Sequence, residues 1–235
     1  MRQRCLDGRP LRRLPALRLG AAGLAGLLAS AAPAHAGEPV AIVEEIQAAG
    51  NALRVMDYLE AGQRIELHPG ESLILGYLAS CWRERITGGV IVVGTEQSEV
   101  QGGQVKRSRV ECDGGNLQLS QRVGGESGVL VLRAPEEGKP AGAPLPPPDL
   151  VIYGTQPLIR LAGSSGPVTI ERLDKGEAPI ELFLERRYLD LATTKWRLAA
   201  GGVYRAKSEG RALVISVDRR AAAGPGPVLG RLVRL

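Results

Sequence analysis

From Gln63 onward the chain is cut at close intervals by glycine pairs, Gly88-Gly89, Gly102-Gly103, Gly114-Gly115 and Gly124-Gly125. Successive pairs lie 14, 12 and 10 residues apart. Glycine pairs supply the positive φ angles of tight hairpins, and turns about every 8 to 12 residues are what a sandwich or barrel of short strands requires. The runs between them read as strands. Arg64-Ile65-Glu66-Leu67 alternates polar and apolar, Pro69-Gly70 signals a turn, and Ser72 to Leu78 is apolar on both faces, which places it in the middle of a sheet. A phosphate-binding loop is the competing reading of Gly88 to Gly94. It fails on context, because these glycines bracket a strand where such a loop would open into a helix.

Aromatic residues make up only 3% of the chain, so a core must be built from Val, Leu, Ile and Ala. That composition suits thin β-sandwiches better than a deep aromatic pocket. The first 36 residues stand apart from any core. Six arginines between Arg2 and Arg18 form a basic region, Leu19 to Ser30 an apolar one, and Ala34-His35-Ala36 a small-x-small cleavage site. Residues 1–36 are therefore expected to be an export signal, with a mature start at Gly37; left uncleaved, the same run would be a membrane anchor. After cleavage no stable membrane span is expected.

Removing that segment cancels the charge. Residues 1–36 hold six of the 30 Lys and Arg but one of the 25 Asp and Glu, which leaves 24 of each. The basic isoelectric point of about 9.4 thus belongs to the signal and does not imply nucleic acid as a partner. Cys5 leaves with the signal as well. Cys81 and Cys112 remain as an even pair in a compartment where disulfides persist. The alternative is a pair of free or metal-binding thiols, but without CxxC spacing and with His68 the sole remaining histidine they make a poor zinc site. A bridge is expected to stabilise the N-terminal half alone.

Along the chain, Pro39 to Ile46 and Ala52 to Leu59 are further strand candidates, and Val129 to Arg133 is the last before a break. Residues 135–149, PEEGKPAGAPLPPPD, read as a semi-rigid, proline-rich linker between domains at 37–134 and 150–235. The second domain holds candidate strands at 150–153, 158–161, 168–173, 180–184, 188–192, 196–198, 203–207, 212–217 and 228–235. So many short strands in so short a span predict a second β-sandwich.

Two resemblances follow from these residues. The segment AGQRIELHPGESLILGYL is similar to FecR-type periplasmic domains, which implies a periplasmic interaction module and carries over no catalytic residue. Leu198-Ala-Ala-Gly-Gly-Val-Tyr204, followed by Ala212 to Val217, resembles the tyrosine-bearing strand and hairpin partner of immunoglobulin-like domains.

Chemistry-bearing groups are sparse. His68 reads as an exposed turn histidine, Glu44-Glu45 would point to opposite faces of a strand, and Glu136-Glu137 fall in the linker. Lys106, Arg107 and Arg109 form the most basic segment, with Arg107 and Arg109 on one face: either a charge-protected edge strand, with Glu96, Glu99 and Glu111 neutralising it, or a patch for an anion or partner. The expected protein is an all-β, non-catalytic, exported interaction or sensory accessory module, without cofactor or metal, whose partner is another envelope or periplasmic protein. The alternative is a structural or carbohydrate-binding envelope protein, for which only Trp82 and Trp196 could stack on sugars.

Overall fold

Runs of β-branched and aliphatic residues without helical spacing favour strands, and the described residues are all-β apart from short helical turns. The computed structural model describes residues 38–119 and 144–235. In the first half, β1 (Pro39–Gln47), β2 (Tyr58–Glu60), β3 (Arg64–Tyr77), β4 (Trp82–Val92), β5 (Glu99–Gln101) and β6 (Gln104–Arg109) form one antiparallel sheet. Its order is β2-β1-β3-β4, with β5 and β6 both laid along the far side of β4. Ser72 to Tyr77 sits in mid-sheet as expected, and of the expected second strand only Tyr58–Glu60 forms.

The glycines do different work from hairpin turns. His68 to Glu71 is a bulge inside β3, between the pairs Leu67↔Gly89 and Ser72↔Thr87, and Gly70 takes φ +88° there. Gly88-Gly89 lies opposite it within β4, and Gly102-Gly103 separates β5 from β6. The irregularities in three neighbouring strands therefore coincide. A Cβ on Gly89 would stand 2.5 Å from the Gln101 carbonyl oxygen, so these glycines allow two backbones to touch. The β3–β4 hairpin turns instead at Leu78 to Cys81, where the Cys81 N–H donates to Tyr77 O at 3.0 Å.

After Cys112 the chain does not turn at Gly114-Gly115 but starts a short helix, α1 (Gly114–Leu119). The Leu117 N–H donates to Asp113 O at 2.8 Å and the Asn116 amide to the Asp113 carboxylate at 3.1 Å. Residues 1–36, the fourth glycine pair, Val129 to Arg133 and the linker up to residue 143 lie outside the described residues.

The second half contains β7 (Leu150–Gly154), β8 (Leu158–Arg160), β9 (Gly166–Arg172), β10 (Ile180–Leu184), β11 (Tyr188–Asp190), β12 (Val203–Ser208), β13 (Arg211–Ala222) and β14 (Leu232–Arg234). They form a five-stranded sheet, β10-β9-β12-β13-β7, and a three-stranded one, β11-β8-β14. Two pairings are parallel, β13 with β7 and β14 with β8. The run 196–198 is not a strand, and Val228–Gly230 is a turn of 3-10 helix. Tyr204 Oη accepts a hydrogen bond from the Ala199 N–H at 2.8 Å.

The first sheet has a core of its own, around Val43, Leu75 and Ile91, and also contributes to a second cluster that it shares with the other half. Ile42, Met56, Leu78 and Leu117 belong to the same buried cluster as Ile152, Ile159, Ile215, Leu229 and Leu232, and Gly37–Leu235 is one compact unit. Strand β1 shows why. Val40, Ala41, Ile42 and Val43 are all buried, so one face covers the first sheet's own core and the other meets the second half. Residues on both sides of the expected linker thus pack in one cluster.

Candidate functional site

A cleft of about 320 Å³ opens where the exit from β6, strand β7 and the loop after β13 converge, with Arg109, Glu111, Tyr153, Ala222, Pro227 and Arg231 in its wall. Each segment is fixed by its own backbone. The Val110 N–H donates to Cys81 O at 3.0 Å, and the Thr155 N–H to Ala222 O at 3.0 Å. Loop 223–227 is tied down by the Gly224 N–H donating to Gln156 Oε1 at 2.9 Å, with Gly224 at φ +108°.

Arg231 supports the cleft from below. It is only 4% exposed, donates from Nη1 to Asp190 Oδ1 at 2.6 Å and from Nη2 to Asp190 Oδ2 at 2.8 Å, and reaches Gly226 O with Nε at 2.9 Å. A two-pronged pair of this kind fixes both side chains. Burial alone would raise the Asp190 carboxyl, but hydrogen bonds from Arg231 and the Ala192 N–H hold it below its ordinary value. The Arg172 hydrogen bond holds Asp174 low as well. Both groups have a depressed folded-state pKa, so their contribution is complete above the ordinary carboxylate range and is lost as pH falls through the lowered value. Thermal melts should stay level from neutrality to about pH 5 and fall steeply below about pH 4. Asp190→Asn should flatten that acid limb, and an unchanged limb would remove Asp190 from it.

The opposite rim is held by the cysteine pair. Cys81 and Cys112 form the expected disulfide, with their Cα atoms 5.8 Å apart. The bridge fixes the next residue, Asp113, whose carboxylate accepts the Val151 N–H of β7 at 2.7 Å. Two glycines allow the close seam. A Cβ on Gly230 would stand 2.7 Å from Glu111 O, and one on Gly76 would stand 2.8 Å from the Leu229 side chain. Tyr153, at the mouth, has its hydroxyl pKa raised by burial first and then by the carboxylates of Asp113, Asp218 and Glu111. Its hydroxyl is thus a neutral hydrogen-bonding group at physiological pH.

Of the basic segment, Arg109 lines the cleft and Arg107 is committed elsewhere. Arg107 donates from Nε to Glu84 Oε1 at 2.6 Å and from Nη2 to Ser98 O at 2.7 Å, while the Arg109 guanidinium lies 5.4 Å from the Trp82 ring centre. The neutralising carboxylate is Glu84, 0% exposed, rather than Glu96, Glu99 or Glu111. Glu84 also accepts the Ser98 N–H at 3.1 Å, and the Ser98 hydroxyl meets Tyr77 Oη at 2.7 Å. Burial pushes the Tyr77 hydroxyl up to about 12 against the opposing hydrogen bond from Ser98. Lys106 is exposed on the other face of β6. His68 is exposed, and Glu44 pairs with Arg83 at 2.6 Å.

Gln156, Asp190 and Arg231 were not singled out from the sequence. Their signal was a glutamine and an arginine inside apolar runs, TQPLIRL and VLGRLVRL, with partners 35 to 75 residues distant and invisible to local pattern. Searches of family models, of curated proteins and of solved structures found no match to the chain.

Proposed function

We propose that this protein is an exported, non-catalytic interaction or sensory accessory module of the cell envelope, similar in role to FecR-type periplasmic domains, and that it binds a protein partner through the cleft beside Cys112. The observation that carries this reading is the cleft's mixed wall. Arg109 and Glu111 supply opposite charges, Tyr153 a neutral hydroxyl, and Ala222 and Pro227 apolar surface, all against a seam held by a disulfide and a two-pronged Arg231–Asp190 pair. A polyanion would meet the Glu111 carboxylate there. A polypeptide segment, with its alternation of backbone amides, side-chain charge and apolar surface, fits better. The disulfide supports an extracytoplasmic location, and among the described residues no helix is long and apolar enough to cross a membrane.

Sugar stacking gains no support here, since Arg109 lies over the Trp82 ring. A photoreactive amino acid at Tyr153 or Glu111 should give a discrete protein adduct in the cell envelope. The same group at exposed Lys175 should give none. Adducts from Lys175 alone, or the same diffuse labelling from all three positions, would remove the cleft from the account.

A further inference from the structure

Three arginines meet at the three-stranded sheet. Arg160 is central, because the register of β8 sets it opposite Arg234 of β14 on one side and Tyr188 of β11 on the other. Register partners carry their side chains on the same face, so the two guanidiniums are direct neighbours. Tyr58, brought in by β2 of the first half, lies against both: the Arg160 guanidinium carbon is 3.9 Å and that of Arg234 5.6 Å from its ring centre. Arg187 joins from the bend after β10. Its carbonyl accepts the Leu161 N–H at 2.8 Å, which anchors it beside Arg160.

Like charges directly opposite one another destabilise a sheet, and a fold that keeps them needs a compensating anion. The protein supplies none to Arg160 or Arg187, neither of which forms an ion pair with another described residue. Arg160 Nε and Tyr58 Oη are moreover buried without a hydrogen-bond partner. Buried donors of native folds are otherwise satisfied by protein, water or an ion. Burial first, and then the like charges of Arg187 and Arg234, hold the Arg160 pKa below its ordinary value.

We propose that Arg160, Arg187, Arg234 and Tyr58 form a binding site for a phosphate group, carried by the free ion or by a phosphomonoester. Stacking on Tyr58 uses the flat face of the Arg160 guanidinium and leaves its N–H edge for a ligand. A carboxylate has two oxygens and one charge, which a single guanidinium fork satisfies. A phosphate group, with more oxygens and up to two charges, matches several guanidiniums and a hydroxyl together. The cluster grades from buried Arg234 through half-buried Arg160 to exposed Arg187, so an anion enters from solvent at Arg187 and is shielded from salt at Arg234. None of these residues lines the cleft beside Cys112.

Titration calorimetry of the full chain tests the site, with inorganic phosphate, glycerol phosphate and acetate as probes in chloride at physiological ionic strength. Phosphate, glycerol phosphate or both should bind saturably at one site per chain, the tighter of the two marking the source of the group, and acetate should not bind. Tyr58→Phe keeps the ring and should leave the melting temperature without phosphate unchanged while weakening binding about tenfold. Arg187→Gln, at an exposed position, should weaken it by about the same factor, and Arg220→Gln, exposed on β13, should leave it unchanged. Absence of saturable binding by both phosphate probes, acetate binding as tight as theirs, or Arg220→Gln weakening binding as much as Arg187→Gln overturns the proposal. If Tyr58→Phe destabilises the fold, Arg187→Gln decides alone, and wild-type affinity in that variant overturns the site.

Discussion

Replacing Cys81 and Cys112 together by alanine should lower the unfolding free energy of the whole Gly37–Leu235 unit by about 3 to 4 kcal/mol. The magnitude is the loop-closure entropy of a bridge spanning 31 residues. Its reach comes from the shared core. Asp113, next to the bridge, holds the Val151 N–H of β7, and Leu117 of α1 is buried in the cluster that contains Ile152 and Leu229. A probe in the second half, such as Trp196 fluorescence, should therefore shift its urea midpoint together with a probe at Trp82. If the Trp196 transition stays in place while the Trp82 transition moves, the two halves unfold independently and the bridge serves only the first.

The second large effect lies in the first sheet. Glu84 is fully buried, with its carboxylate held by Arg107 and the Ser98 N–H. Arg107→Ala removes the counter-charge and leaves a buried carboxylate with one backbone donor. Breaking a buried pair from one side typically costs about 3 to 5 kcal/mol, and the partial exposure of Arg107 places this case near the lower end. Glu84→Gln/Arg107→Ala should recover more than half of the loss, because a neutral amide can still accept the Ser98 N–H. Urea titrations of the three proteins decide it. An Arg107→Ala variant within about 0.5 kcal/mol of the wild type would mean that water reaches Glu84 and that the pair is an ordinary surface contact.

The physical reasons for what the sequence disclosed lie in particular residues. Strand content was legible because side-chain branching and alternation are local properties, as in Arg64 to Leu67 and Ile180 to Leu184. The disulfide was legible because two cysteines remain beyond Ala36. Turn positions were not. Glycine serves close backbone approach as well as it serves a hairpin, and only the register of β3 against β4 shows that Gly88-Gly89 does the former. The shared core had one local trace, the consecutive apolar residues Val40 to Val43, which signal burial on both faces without saying what covers the second. The Glu84–Arg107 and Asp190–Arg231 pairs join residues 23 and 41 positions apart, so no spacing rule could have matched them. The cleft is a product of those same long-range contacts, since its wall combines residues 109–111, 153–154 and 222–231.

Scanning calorimetry of the disulfide-intact protein shows whether the two halves unfold as one unit through the cluster they share. A single endotherm is expected, with calorimetric and van't Hoff enthalpies in agreement, because Ile42 and Leu78 cannot leave the cluster without exposing Leu229 and Ile152. Two resolved transitions, one of which survives unchanged in a chain cut within residues 120–143, would contradict it.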